Sequence, residues 1–189
     1  MIEELIRQNR SCRRFYQDEA ITLDTLKWLA NLARCSASAA NLQPLKYILA
    51  NDAKKNEAIF VCLAWAGYLQ DWSGPEAGEQ PAAYLVMLGD KEIAKDFGID
   101  PGIAAQSILL GAREKGLAGC MIGSIKRERL REVLKIPERY DIVLVIALGK
   151  PEEEVVLEEL APGGSIKYWR DGKAVHHVPK RKLEEIIVW

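Results

Sequence analysis

The chain has 189 residues, with 26 Lys and Arg against 27 Asp and Glu, for a net charge of -1. That length suits one compact domain over residues 1–189, and the near-neutral balance argues against a general nucleic-acid binder, which needs a large cationic excess. No apolar run approaches the ~20 residues needed to span a bilayer, the acidic start lacks the features of a signal peptide, and the four widely spaced cysteines include no CxxC pair, so reduced thiols in a cytoplasmic protein and no metal site are expected.

In chain order, Ile2, Leu5 and Ile6 share one face, which predicts a helix over Ile2 to Asn9. Thr22 is placed to cap a second helix whose apolar side is Leu23, Leu26, Leu29, Ala30 and Ala33. Ser36 to Pro44 is small and polar and reads as a loop. Lys46 to Ala50 reads as a strand and Lys54 to Ala64 as a helix. Trp65 to Gln80 is an irregular, aromatic excursion, and Ala82 to Leu88 a buried strand. Asp100 is expected to cap a long helix with Pro101 at its first position, ending at Lys115 before Gly116. Ile125 to Leu134 is a basic helix, with Ser124 as a candidate cap. Ile142 to Leu148 is an almost wholly apolar strand. The end, Ile186 to Trp189, is too apolar to dangle and is expected to pack, with a second subunit as one place for it. This order suits a sheet covered by helices on both faces. No GxGxxG turn or P-loop is present, so no Rossmann site for a nicotinamide is supported.

Four segments carry candidate chemistry. Arg10, Ser11 and Arg13 offer planar paired donors and a short hydroxyl, which suit a phosphate, although a solvated basic turn has the same composition. Ser38, Asn41 and Gln43 stand among tiny side chains that let a flat ring approach, and Asn41 can both donate and accept; an ordinary helix-to-strand loop reads the same way. Gly116 to Ser124 exposes backbone N–H groups around Gly123 and Ser124, or is simply a buried strand between two turns. Lys180, Arg181 and Lys182 are either a solvated face or the completion of a phosphate pocket. Trp65, Tyr68 and Trp72 are candidate pocket walls, with core or interface packing as the alternative. Cys120 lies close to the third segment and reads as a buried, inert thiol, a redox role being the other option.

Taken together and in this order, the segments resemble the nitroreductase family. The family's Arg-Arg-Ser-x-Arg-x-Phe stretch is matched by Arg10, Ser11, Arg13 and Phe15. Its Ser-x-x-Asn-x-Gln-Pro stretch is matched by Ser38, Asn41, Gln43 and Pro44. Its Gly-Leu-Gly and Ile-Gly turns are matched by Gly116, Leu117, Ile122 and Gly123, and its basic stretch before Leu-Glu-Glu by Pro179 to Glu185. Asn9, Leu45 and Ala118 depart from the pattern, and the region between the first two core strands is short.

The resemblance implies an α+β fold with a central mixed, mainly antiparallel sheet covered by helices on both faces. It also implies a homodimer with a C-terminal tail exchanged between subunits and FMN at their boundary. By carry-over, Arg10, Ser11 and Lys180 to Lys182 would grip the phosphate, Arg13 and Asn41 would lie near the pyrimidine edge, and a backbone N–H of Gly123 or Ser124 would face N5. The implied activity is transfer of electrons from NAD(P)H to a small acceptor, a nitroaromatic or quinone, by a ping-pong cycle. The flavin carries the chemistry and no catalytic side chain is needed. A dehalogenase or flavin-consuming enzyme on the same scaffold, a non-catalytic flavin sensor or carrier, and a small globular protein without flavin are the alternatives.

Overall fold

The computed structural model describes residues 1–189. Its centre is a sheet built on two long strands, β3 (Ala83–Asp90) and β5 (Tyr140–Pro151). β2 (Leu45–Ala50) flanks β3, and β4 (Ala118–Ile122) flanks the other edge of β5. The short β1 (Phe15–Tyr16) pairs with the last residues of β5, Phe15 opposite Pro151 and Tyr16 opposite Lys150. Every pairing in this five-stranded sheet is antiparallel.

Side chains of a strand alternate between its two faces, so a central strand covered on both sides is apolar throughout. β3 is of this kind, and all eight of its residues are buried. Ala83, Leu85 and Met87 face one layer, joined by Ile146 and Leu148 of β5. That layer is α2 (Leu23–Arg34) and α4 (Asp100–Glu114), which present Leu26, Leu29 and Ala33, and Ala104, Ala105, Ile108 and Ala112. Tyr84, Val86 and Leu88 face the opposite layer with Val145 and Ala147 of β5 and Cys120 and Ile122 of β4. Ile59 of α3 (Ala53–Phe60) and Leu130 of α5 (Arg127–Leu134) close that side. α1 (Ile2–Gln8) packs on α4.

Most local expectations hold to within a few residues. The Thr22 hydroxyl accepts the Thr25 N–H at 3.1 Å and starts α2. Gly116 has φ of +72° just past α4, a conformation that costs glycine little. Three expectations differ. The helix from Lys54 to Ala64 is shorter, because Leu63 instead bridges to Ile125. Asp100 is the first residue of α4 and Ile99 its N-cap, so the Asp100 carboxylate is directed elsewhere. Ser124 caps nothing: the N-cap of α5 is Lys126, with no side-chain cap bond.

The C-terminal part forms a second, three-stranded sheet that local patterning did not indicate. β6 (Val155–Glu159) pairs in parallel with β8 (His176–Lys180), and β7 (Trp169–Arg170) pairs antiparallel with β8. Beyond it, Ile186, Val188 and Trp189 are exposed, so the apolar end covers nothing within its own chain. No helix is long and apolar enough to cross a membrane.

Gly119 shows how closely β4 is held. A Cβ built there would meet the Ala147 carbonyl at 2.5 Å and Leu109 at 2.7 Å. Gly119→Ala is therefore expected to destabilise the fold by about 1–3 kcal/mol, because the obstacle is backbone that cannot rotate away. Urea unfolding of the two proteins checks this.

Candidate functional site

Three of the four segments meet along one edge of β4. The chain after α1 runs beside it, with Ser11 bridged to Gly119 and the Cys12 N–H donating to the Gly119 carbonyl at 3.0 Å. Phe15 is fully buried and anchors this stretch against Gly149. β8 closes the far side. The result is a cavity of about 280 Å³ between Asn9–Arg13, Met121 of β4, Gln106 and Leu109 of α4, and Tyr168, His176 and Lys180. A recess of about 170 Å³ shares the walls Arg13, Met121 and Tyr168 and continues past Trp65, Cys120, Gly123 and Ser124. A Cβ at Gly123 would meet nothing within 4 Å, so that backbone stands open rather than packed.

The cavity is cationic, and its charges are unpaired. None of the ion pairs in the molecule uses Arg10, Arg13 or Lys180. Arg10 reaches the Ile6 carbonyl through Nη2, but its buried Nε has no acceptor. Burial lowers the Arg10 pKa from its usual value. Such a buried, unsatisfied donor is costly unless an anion meets it. The neighbouring cations are taken up: Arg14 by Glu79, Arg181 by Glu185 and Lys182 by Glu159. Of the expected basic trio, Lys180 alone lines the cavity.

The loop carrying Ser38, Asn41 and Gln43 lies elsewhere. Ser38 and Gln43 border a separate cavity of about 520 Å³ between α2, β2 and the start of α4, none of whose walls belongs to the other two. Ala40, Asn41 and Gln43 all have positive φ, at 48°, 54° and 55°. Three such residues in four positions are strained, and they persist only where the surroundings hold them. Asp100 does the holding. Its carboxylate accepts the Ser38 hydroxyl at 2.5 Å and the Ala39 N–H at 2.9 Å, and Ser38 Oγ in turn accepts the Gln43 N–H at 2.9 Å. Asn41 and its neighbours are exposed on this rigid loop.

The aromatic candidates separate. Trp65 forms part of the recess wall. Tyr68 is half-exposed, its ring 4.9 Å from that of Tyr168. Trp72 lines neither cavity and lies under the Arg170 guanidinium at 4.7 Å. Burial pushes the Cys120 thiol up, so it remains protonated and inert. Sequence reasoning missed Tyr168, Glu153 and Arg170, for which no local pattern exists. Asp100 carried a signal, the Asp-Pro-Gly helix start, that pointed to a cap rather than to a loop anchor.

The adjacent histidines point to opposite sides of β8. Burial, together with nearby Arg13 and Arg170, outweighs the pull of Glu153 and pushes the His176 pKa down to about 4. For His177 partial desolvation acts downwards, but Glu158 and Asp171 outweigh it and the pKa rises above the usual 6.5. His177 Nδ1 lies 2.6 Å from Glu158, and the ring stacks on Trp169 at 4.1 Å.

Residues 6–150 match the nitroreductase family. A protein of Archaeoglobus fulgidus provisionally named NADH dehydrogenase/NAD(P)H nitroreductase is 28% identical over 159 residues, covering 80% of this chain and 86% of its own. The FMN reductase (NADPH) of Bacillus subtilis is 24% identical over 162 residues, covering 78% of this chain and 65% of its own. Among solved structures, a nitroreductase family protein from Clostridium novyi NT superposes with a TM-score of 0.68 at 26% identity, covering 80% of this chain and 87% of that one. The fold is thus the α+β arrangement, built on an antiparallel sheet, of solved nitroreductase family proteins. The chain belongs to the nitroreductase family.

The raised His177 pKa gives a signed expectation. Its stabilisation is fully present below pH 6.5 and is lost as pH rises through the folded-state value. His177→Gln should therefore be less stable than the parent below pH 6.5, with the difference vanishing at higher pH. Urea midpoints measured across that range check it.

Proposed function

We propose that this chain is an FMN-dependent oxidoreductase that takes reducing equivalents from NAD(P)H and passes them to a small acceptor in a ping-pong cycle. The observation that carries the reading is the cluster of Arg10, Arg13 and Lys180, three cations without carboxylate partners, around one cavity. The orphaned Nε of Arg10 fits a phosphate oxygen, and the Ser11 segment lies beside it. The names of relatives support the cofactor: one is called FMN reductase (NADPH) and another, from Vibrio harveyi, NADPH-flavin oxidoreductase.

The residues present suit the two ends of a flavin mononucleotide. Arg10, Ser11 and Lys180 would hold the phosphate, and the recess past Arg13 would take the ring, with Gly123 and Ser124 offering open backbone. When bound, the flavin supplies hydride and electron transfer. Arg13 supplies a fixed positive charge beside the pocket, which favours a reduced, anionic ring. Trp65 would wall the recess on the side where donor and acceptor would alternate, with the half-exposed Tyr68 at its margin beside Tyr168.

The reading includes a homodimer. Ser38, Asn41 and Gln43 stand apart from the other three segments in one chain, on a loop that is exposed yet rigidly held. A second copy would bring that loop to the cavity, and the exposed Ile186–Trp189 would gain a surface to cover.

The test is the visible spectrum of the purified protein before and after anaerobic NAD(P)H, together with its mass in solution. A yellow dimer bleached by the nicotinamide is expected. A flavin that NAD(P)H cannot reduce would leave a binding protein without this activity. Arg10→Ala and Arg13→Ala are each expected to raise the FMN Kd by about tenfold or more, the loss of one charge-assisted contact of ~1.5–3 kcal/mol. Unchanged flavin occupancy in both would overturn the placement.

A further inference from the structure

The family match ends at residue 150, yet the residues just beyond it converge on Arg13. Glu153 accepts the Arg13 backbone N–H at 2.9 Å. The Tyr168 ring covers the guanidinium, 4.8 Å from its carbon. His176 Nε2 lies 3.3 Å from Arg13 Nη1. A guanidinium can only donate, so Nε2 is the acceptor and the imidazole proton sits on Nδ1.

Glu153 makes this arrangement unusual. Its side chain is fully buried. It touches the backbone of a buried arginine without pairing with that arginine's charge. In a medium of low dielectric a carboxylate attracts a guanidinium strongly wherever the side chain can reach it. Both carboxylate oxygens are engaged, however. Oε2 holds the Arg13 N–H, and Oε1 holds Arg170 Nη2 at 2.5 Å. Arg170 in turn rests on Trp72 and lines neither the cavity nor the recess. Arg14, next in the chain, is matched by Glu79. Of Arg13, Arg14 and Arg170, Arg13 alone is thus left without a carboxylate.

We infer that Arg170 is a positioning residue: by engaging Glu153 it keeps that carboxylate from neutralising Arg13, and so leaves the Arg13 charge open to an anionic ligand of the cavity. The flavin reading enters only as the identity of that ligand. The guanidinium of Arg13 would otherwise leave His176 and turn to Glu153. Arg170 therefore governs binding from outside the cavity, through charge rather than contact.

The experiment compares four proteins. Arg170→Met keeps most of the packing on Trp72 and removes the charge. It is expected to weaken FMN binding by the apoprotein about tenfold, read by flavin fluorescence titration. Arg170→Lys keeps a cation on Glu153 and should stay within about threefold of the parent. Adding Glu153→Gln to Arg170→Met removes the competing carboxylate and should restore affinity to within about threefold. A crystal structure of the flavin-free Arg170→Met protein should show Arg13 in ion-pair contact with Glu153, a readout that needs no flavin. Parental affinity in Arg170→Met, failure of Glu153→Gln to rescue it, or Arg13 remaining on His176 would each overturn the inference. Should Arg170→Met fail to fold, Arg170→Gln takes its place in the titration, the rescue and the crystal structure, with the same outcomes for and against the inference. If the parent binds no FMN while Arg13 turns to Glu153 in the variant, the cofactor reading fails and the inference about Arg170 stands.

Discussion

The long strand β5 is the element on which the rest of the site depends. One of its edges pairs with β3 from Ala83 to Asp90 and builds the core. The other edge carries β4, from Gly149 down to Val145, while β1 pairs with Lys150 and Pro151 at the end of the strand. The Arg10–Arg13 segment and the Cys120–Ser124 segment are thereby fixed beside each other, although they are far apart in the chain. Two residues past the end of β5 comes Glu153, which locks the backbone of Arg13. Pairing along a single strand thus sets the distances between the cavity's walls, and the same strand is braced on both faces by apolar layers.

Charge in the cavity follows from which cations are matched and which are not. Arg14 meets Glu79 and Arg170 meets Glu153, while Arg10, Arg13 and Lys180 meet no carboxylate. Burial makes this division matter, because an unpaired guanidinium in a poorly solvated cavity is costly until an anion arrives. His176 contributes by staying neutral, since a second positive charge against Arg13 would oppose the arrangement. The neutral imidazole orients the cation without cancelling it. The protein therefore supplies field and position, and the reactive electrons belong to the bound group in the proposed function.

The loop from Ser38 to Gln43 obeys a different logic. Its positive φ values are maintained by the buried carboxylate of Asp100, so it keeps its shape without any ligand. It is rigid, exposed and remote from the cationic cavity of its own chain. In the proposed dimer that combination is what a preformed half-site requires, since ordering a loop at the moment of binding would subtract from affinity.

The sequence by itself determined the helices and long strands, through local effects: the Thr22 cap, the glycine after α4, the unbroken apolar run of β3 and the period of α2. It also determined the composition of the cationic and small-residue segments, which carried the family resemblance. The small C-terminal sheet escaped it, because β6 to β8 alternate weakly and owe their pairing to one another. Only the tertiary structure decided that Arg13 rather than Arg14 is left open, since Glu79 goes to Arg14 and Glu153 to Arg170. It alone turned His176 towards the cavity and His177 towards Glu158, and set the Asp100 carboxylate on a loop instead of a helix end. The physical reason is the same in each case. A hydrogen-bonding or charged group takes whichever partner the fold brings within about 3 Å, and that choice is made by residues distant in sequence.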